Sequence, residues 1–228
     1  MRTVLSIVVA LLLAFGVAAA ALPQLARAAS PRAVLQGSLF LPWVYSPIAP
    51  PTCAAFSHDG SKFAVGGSGG VQLFMASAGV LLKGLSTAAQ TICSLRYSPN
   101  GAILAVGGIS TTNNRAGGVV ELWNVDDDTL IASLHTSAGG VFGIAFSRDG
   151  TLLADSGFGY ANGGTVGLIE CWNVATQQPV ASIQTEANNV VDSVDFALDG
   201  QALAAGGAIY NANGNTPVGG FLGLWSIA

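Results

Sequence analysis

From about residue 33 onward, apolar and polar positions alternate in short runs punctuated by Gly, Asn, Asp and Pro. The stretch from Val141 is typical. "VFGIAFS" directs Val141, Ile144 and Phe146 toward a core, and a short Asp-Gly turn follows. "TLLADSG", "VGLIECWNV" and "QPVASIQ" then continue as three further apolar runs. β-Branched and aromatic residues bounded by turn formers predict strands, and no segment after the N-terminal leader carries the 3.6-residue helical period. The pattern therefore predicts four successive strands from one stretch of chain.

This unit recurs. "AAFSHDGSKFAVGG", "SLRYSPNGAILAVGG", "GIAFSRDGTLLADSG" and "SVDFALDGQALAAGG" each set an aromatic residue three positions before an Asp-Gly or Asn-Gly turn. The aromatics are Phe56, Tyr97, Phe146 and Phe196, and the turns begin at Asp59, Asn100, Asp149 and Asp199. A second signature follows in "VQLFMAS", "VELWNVD", "IECWNVA" and "LGLWSIA", with Phe74, Trp123, Trp172 or Trp225 at its centre. From that aromatic to the next turn the spacing is 26, 26 and 27 residues. From turn to aromatic it is 15, 23, 23 and 26, so length variation is confined to the connection between second and third strands. Four-stranded units repeating at roughly 40–50 residues are the sequence pattern of propeller blades.

The pairing of "FSRDGTLLA" with "LWNV" resembles the WD-repeat (WD40) family of β-propellers, over about residues 33–228. The resemblance implies an all-β fold of about four four-stranded WD40-like blades. There are departures from the family pattern. The Trp-Asp pair is Trp-Asn at Trp123-Asn124 and Trp172-Asn173, Trp-Ser at Trp225-Ser226 and Phe-Met at Phe74-Met75. The Gly-His pair is missing, with His135 two positions early. The family's buried Asp–His–Ser/Thr–Trp network is accordingly expected to be absent. WD-repeat propellers close by lending an N-terminal strand to the last blade. "AVLQGSLF", residues 33–40, resembles the strands that end the other repeats. The expected organisation is a signal peptide at 1–28, a closing strand and proline-rich approach at 29–51, and repeats at about 52–90, 91–139, 140–189 and 190–228. Four blades are fewer than the usual seven, so a closed four-bladed ring, a ring shared by two chains and a fragment stand as alternative readings.

Composition narrows the partners. Of 228 residues 51% are hydrophobic, 30 are glycine and only 9% are charged, with a net charge of -4. A nucleic-acid binder needs a basic surface to meet phosphates, which this balance does not supply. Arg2, the apolar run Val4–Ala21 and Ala26-Arg27-Ala28 read as a secretory leader cleaved after Ala28. A retained membrane anchor is the alternative, because the run is near the ~18 residues of a minimal span. No cysteine follows it to carry a lipid. Cys53, Cys93 and Cys171 have neither disulfide-framework nor zinc spacing, and read as small apolar residues.

No catalytic constellation emerges, and neither a cofactor nor a metal is expected. His58 falls in a turn and His135 near a strand end. Asp126–Asp128 lacks the spaced oxygen ligands of a calcium loop. Asp155 and Glu170 flank the third long connection and are the basis of an alternative reading as a small hydrolase or lyase. The long connections "ISTTNNRAG", "GFGYANGG" and "AIYNANGNTPVGG" should share one face with the approach "LPWVYSPIAPP". They gather Trp43, Tyr45, Asn113, Asn114, Phe158, Tyr160, Asn162, Tyr210, Asn211 and Asn213. Aromatic rings and amides on a rigid rim suit recognition of a protein or peptide, with carbohydrate as a further ligand class. The structural alternative is a set of extended hairpins, which Asn-Gly at Asn162 and Asn213 would turn. Trp123, Trp172 and Trp225 share one register and are expected to pack between blades.

Overall fold

A computed structural model describes residues 50–112, 115–161, 163–187, 189–211, 214 and 216–227. The leader, the segment 33–40 and the approach through Pro47 lie outside them. The described secondary structure is all β. The first antiparallel sheet comprises β1 (Pro51–Phe56), β2 (Lys62–Gly67), β3 (Gly70–Met75) and β4 (Val80–Leu85). The second comprises β5 (Thr91–Tyr97), β6 (Ile103–Thr112), β7 (Arg115–Asn124) and β8 (Leu130–Leu134). The third comprises β9 (Gly140–Phe146), β10 (Leu152–Ala161), β11 (Gly164–Asn173) and β12 (Pro179–Ala187). Among the described residues the fourth has three strands, β13 (Asn189–Phe196), β14 (Ala202–Tyr210) and β15 (Pro217–Ser226).

Each sheet is a simple meander in chain order, and the first strands β1, β5, β9 and β13 lie beside one another in that order. Sheet then packs on sheet, as blades do. Tyr97, Leu104 and Trp123 of the second sheet meet Ala64, Val71 and Leu73 of the first. Phe146, Leu153 and Trp172 of the third meet Ala105, Val120 and Leu122 of the second. Phe196, Leu203 and Trp225 of the fourth meet Ala154, Ile169 and Cys171 of the third. The recurring tryptophan register is thus a packing register. Two members depart from the expected burial. Phe56 is 67% exposed, whereas Tyr97, Phe146 and Phe196 are buried. Trp225 is half-buried and packs at the margin of its cluster.

The turns explain the repeated "DG". Ser57, Ser98 and Ser147 each donate a hydroxyl to the acceptor two residues on (Asp59, Asn100 or Asp149) at 2.6–2.7 Å. The following glycine takes positive φ in all four repeats, at Gly60, Gly101, Gly150 and Gly200. These hydrogen bonds to the charged form hold the Asp59 carboxyl down at about 2 and the Asp149 carboxyl below its ordinary value. The turn after each third strand has its own left-handed position, occupied by Gly79, Asp128 and Gln177 at φ 64°, 57° and 60°. Gln177 carries a Cβ where the first repeat has glycine. Gln177→Gly should therefore raise unfolding free energy by about 0.5–1 kcal/mol, measured by urea denaturation.

Candidate binding face

A β-bulge recurs at one place in every first strand. Register shifts fall between Pro51 and Cys53, Ile92 and Ser94, Val141 and Gly143, and Val191 and Ser193. The extra residues are Thr52, Cys93, Phe142 and Asp192. Opposite each bulge the carbonyl before it leans into the second strand. A Cβ built on Gly157 would lie 1.8 Å from the Gly140 oxygen, one on Gly207 1.8 Å from the Val190 oxygen, and one on Gly108 2.2 Å from the Thr91 oxygen. The recurring glycine of "VGG", "DSG" and "AGG" is therefore a demand of close backbone approach. The Thr52 hydroxyl also donates to the Ile92 carbonyl and ties the first sheet to the second.

Beyond the bulge the second and third strands run on. "GFGYANGG" is no loop for most of its length, because Gly157–Ala161 belong to β10 and Gly164 opens β11. Phe158 pairs with Gly167, Tyr160 with Thr165 and Ala161 with Gly164. β6 and β7 extend likewise to Thr112 and Arg115, and β14 and β15 to Tyr210 and Pro217. The long connections are extended hairpins. They are fastened to the segments leading into their own sheets, where the Gln90 amide N–H donates to the Ile109 carbonyl at 2.9 Å and that of Gly139 to Phe158 at 2.7 Å. In the second sheet the Gln90 side chain adds two hydrogen bonds to the Thr111 backbone, its Nε2 donating to the carbonyl at 3.3 Å and its Oε1 accepting from the amide at 3.1 Å.

In the third sheet aromatic rings occupy that place. Strand alternation puts Phe158 and Tyr160 on one side. Phe142, the bulge residue, tilts against Phe158 at 6.0 Å, and Phe158 meets Tyr160 edge-on at 5.7 Å and 89°. A Cβ on Gly139 would stand 2.4 Å from Phe158 and 2.9 Å from Tyr160, so glycine there makes room for the pair. The series runs from half-buried Phe142 and Phe158 to Tyr160, which is 64% exposed. Tyr210 is half-buried in its own hairpin, where the Asn211 amide N–H donates to the Thr216 carbonyl at 2.9 Å. Trp43, Tyr45, Asn113, Asn114, Asn162 and Asn213 lie outside the described residues.

Asp155 and Glu170 do not flank a loop. They are direct cross-strand partners in the middle of β10 and β11, on the face that packs against the second sheet, and both are buried. The Trp172 indole N–H donates to Asp155 Oδ2 at 2.6 Å. Glu170 accepts from the Thr136 hydroxyl at 2.5 Å, the Ser137 hydroxyl at 2.5 Å and the Ser137 amide at 3.1 Å. Glu121 does the same work in the second sheet, accepting from the Ala88 amide at 2.9 Å and from the Trp123 indole at 3.0 Å. A buried polar network thus ties these carboxylates to the tryptophans and to the segments leading into the sheets. It is carried by Asp155 and by the Glu of Glu-x-Trp in "ELW" and "ECW", a signal visible in the sequence. Burial pushes the Asp155 carboxyl up to about 8, against the Trp172 hydrogen bond and with a further rise from the charge of Glu170.

The opposite ends of the first strands enclose a second concave feature that the sequence reading missed. It measures about 550 Å³, and all four first strands line it through Phe56, Arg96, Phe146 and Asp195, with His58 and Arg148 on the turns at its lip. Nothing in the spacing of those residues marks them as neighbours; adjacency of the first strands alone brings them together. Among the described residues no cluster of three or more His, Cys, Asp or Glu could hold a metal. Cys171 is buried and Cys53 and Cys93 are half-buried, all as free thiols.

No protein-family model matches the chain, and no curated protein does. Solved structures do match. One, described as "Structure of U3-55K", superposes with a TM-score of 0.58 at 16% sequence identity, covering 72% of this chain and 47% of that one. The chain thus spans about half the length of that structure. At such low identity the likeness speaks to architecture alone. Together with the four meandering sheets, it shows this fold to be all-β and propeller-like.

Proposed function

We propose that the chain is an exported interaction scaffold that docks a protein or peptide partner on its hairpin face. The observation that carries the reading is Tyr160, an exposed ring held edge-on by Phe158. Phe158 is itself packed on Phe142, Gly139 and Gly140. A ring fixed before binding loses little side-chain entropy on contact, and exposed, pre-positioned tyrosines are typical anchors of recognition surfaces. The leader signature supports placement outside the cytoplasm. The hydrolase reading loses its residues, because the Asp155 carboxyl is enclosed between sheets and engaged with Trp172. Affinity capture from the exporting cell's extracytoplasmic fraction tests the proposal, with wild type beside Tyr160→Ala/Tyr210→Ala. A protein held by the wild type should be lost by the double variant. Equal recovery by both, or retention of glycans alone, would count against a protein partner at this face.

A further inference from the structure

Cations are scarce in this chain, and two of them meet in the cavity at the first-strand ends. Among the described residues the lysines and arginines are Lys62, Lys83, Arg96, Arg115 and Arg148. Lys83 pairs with Asp128 at 3.3 Å, and the Lys62 ammonium donates to the Val125 carbonyl at 3.4 Å. Arg96 and Arg148 form no ion pair with a described carboxylate, and both line the cavity of about 550 Å³. Arg96 stands on β5 and reaches to the third sheet, where its Nε donates to the Ile144 carbonyl of β9 at 3.4 Å. That bond orients the guanidinium and leaves its terminal nitrogens without a partner among the described residues. Arg148 stands on the turn that leaves β9, the strand to which Arg96 is tied. The acids nearest Arg148 in the chain fold are committed elsewhere. Asp149 accepts from the Ser147 hydroxyl at 2.6 Å and the Thr151 amide at 3.1 Å within its own turn, and Asp199 accepts from the Gln201 amide at 2.9 Å. Asp195 is the only described carboxylate on the cavity wall.

We infer that this cavity binds a carboxylate carried on an apolar body, the carboxylate on Arg96 and Arg148 and the body along Phe56 and Leu198. A free organic acid and the C-terminal residue of a peptide both supply that chemistry. Guanidinium meets carboxylate through two parallel hydrogen bonds, and a concave wall focuses the field of the pair. Two guanidinium groups against Asp195 leave a single positive charge, in a chain whose net charge is -4. One surplus charge matches a monoanion. A doubly charged phosphate would exceed it and meet Asp195 as well. The same wall is apolar beside the charges, where Phe56 is 67% and Leu198 78% exposed. The volume falls within the roughly 300–1,000 Å³ of small-ligand pockets. The site lies at the opposite ends of the first strands from the hairpin face and stands independently of what docks there.

Calorimetric titration of the purified chain tests this with four probes: 4-phenylbutyrate, the dipeptide acetyl-Ala-Phe with a free C-terminus, its C-terminal amide, and inorganic phosphate. At least one of the two acids should bind saturably, and more tightly than the amide or phosphate. Binding of phenylbutyrate alone assigns the site to a free acid, and binding of the dipeptide alone assigns it to a chain end. Arg96→Gln and Arg148→Gln should each weaken the acid by roughly tenfold, the share of one charge-assisted contact. Asp195→Asn should tighten it by removing the opposing charge. Tyr160→Ala should leave it unaltered, which separates this site from the hairpin face. Should Arg96→Gln melt early through loss of its tie to Ile144, Arg148→Gln, on an exposed turn, gives the reading. No heat from either acid at several millimolar overturns the inference. So do equal affinities for acid and amide, a preference for phosphate, or acid binding indifferent to Arg148→Gln.

Discussion

Gly157→Ala should lower the thermal midpoint by roughly 6–12 °C, corresponding to about 3 kcal/mol or more in a chain of this size. The new Cβ would have to share space with the Gly140 carbonyl oxygen, 1.8 Å from its ideal position, and the obstacle is backbone rather than a movable side chain. Relief would require the bulge at Phe142 to flatten. That would pull the Phe142 ring away from Phe158 and disturb the hairpin face as well as the core. Gly207→Ala should behave alike, since its Cβ would lie 1.8 Å from the Val190 oxygen. Gly117→Ala, in the neighbouring hairpin with nothing within 4 Å, is the control and should change stability by under about 1 kcal/mol. Calorimetric melts of the three variants decide the matter. A Gly157→Ala protein that melts with wild type would show that the bulge carbonyl does not hold its position.

Raising the pH from 5 to 9 should weaken the fold, and Asp155→Asn should remove most of that loss. The Asp155 carboxyl titrates at about 8 in the folded chain against an ordinary value of 3.8. The folded state thus holds the proton more tightly than the unfolded one. Its contribution is complete below the ordinary value and is lost as the pH climbs through 8. Between those limits the decline approaches about 1.4 kcal/mol per pH unit at most. An asparagine keeps an acceptor for the Trp172 indole and never ionises, so its urea midpoint should exceed that of wild type increasingly above pH 6. Parallel pH profiles for the two proteins would refute the buried, protonated carboxyl.

The repeat was legible in the sequence because its punctuation is local. Asp-Gly or Asn-Gly after an aromatic, and a Phe or Trp standing 26 or 27 residues before the next such turn, fix turn and strand without knowledge of any neighbour. The hairpin extensions were legible only as an alternative to loops, through their Asn-Gly pairs, and for a physical reason. "GFGYANGG" is rich in turn formers, but Gly157 sits in a strand, where it faces the Gly140 carbonyl of the bulge beside it. Propensity reads the residue and misses the neighbouring backbone. The exposure of Phe56, Leu222 and Leu224 was equally out of reach. Their local sequence is that of buried positions, and only the sheet beside them, or its absence among the described residues, decides what they meet. Glu121 and Glu170 were legible in retrospect, since both stand two residues before a tryptophan. The cavity at the first-strand ends was not, because it is made of positions about 40–50 residues apart.

The fasteners at the hairpin bases bear on how a chain of near-copies avoids mispairing with itself. Four hairpins with the same alternation could exchange partner strands during folding at little cost in burial. The second and third hairpins have the same length, so length alone would not sort them. The Gln90 amide clamp on Thr111 fits one hairpin only, and the paired rings of Phe158 and Tyr160 over Gly139 fit only the other. Each leading segment is thereby keyed to the hairpin that follows it. These contacts act as addresses, favouring the right strand over a near-copy that the shared core would accept equally well.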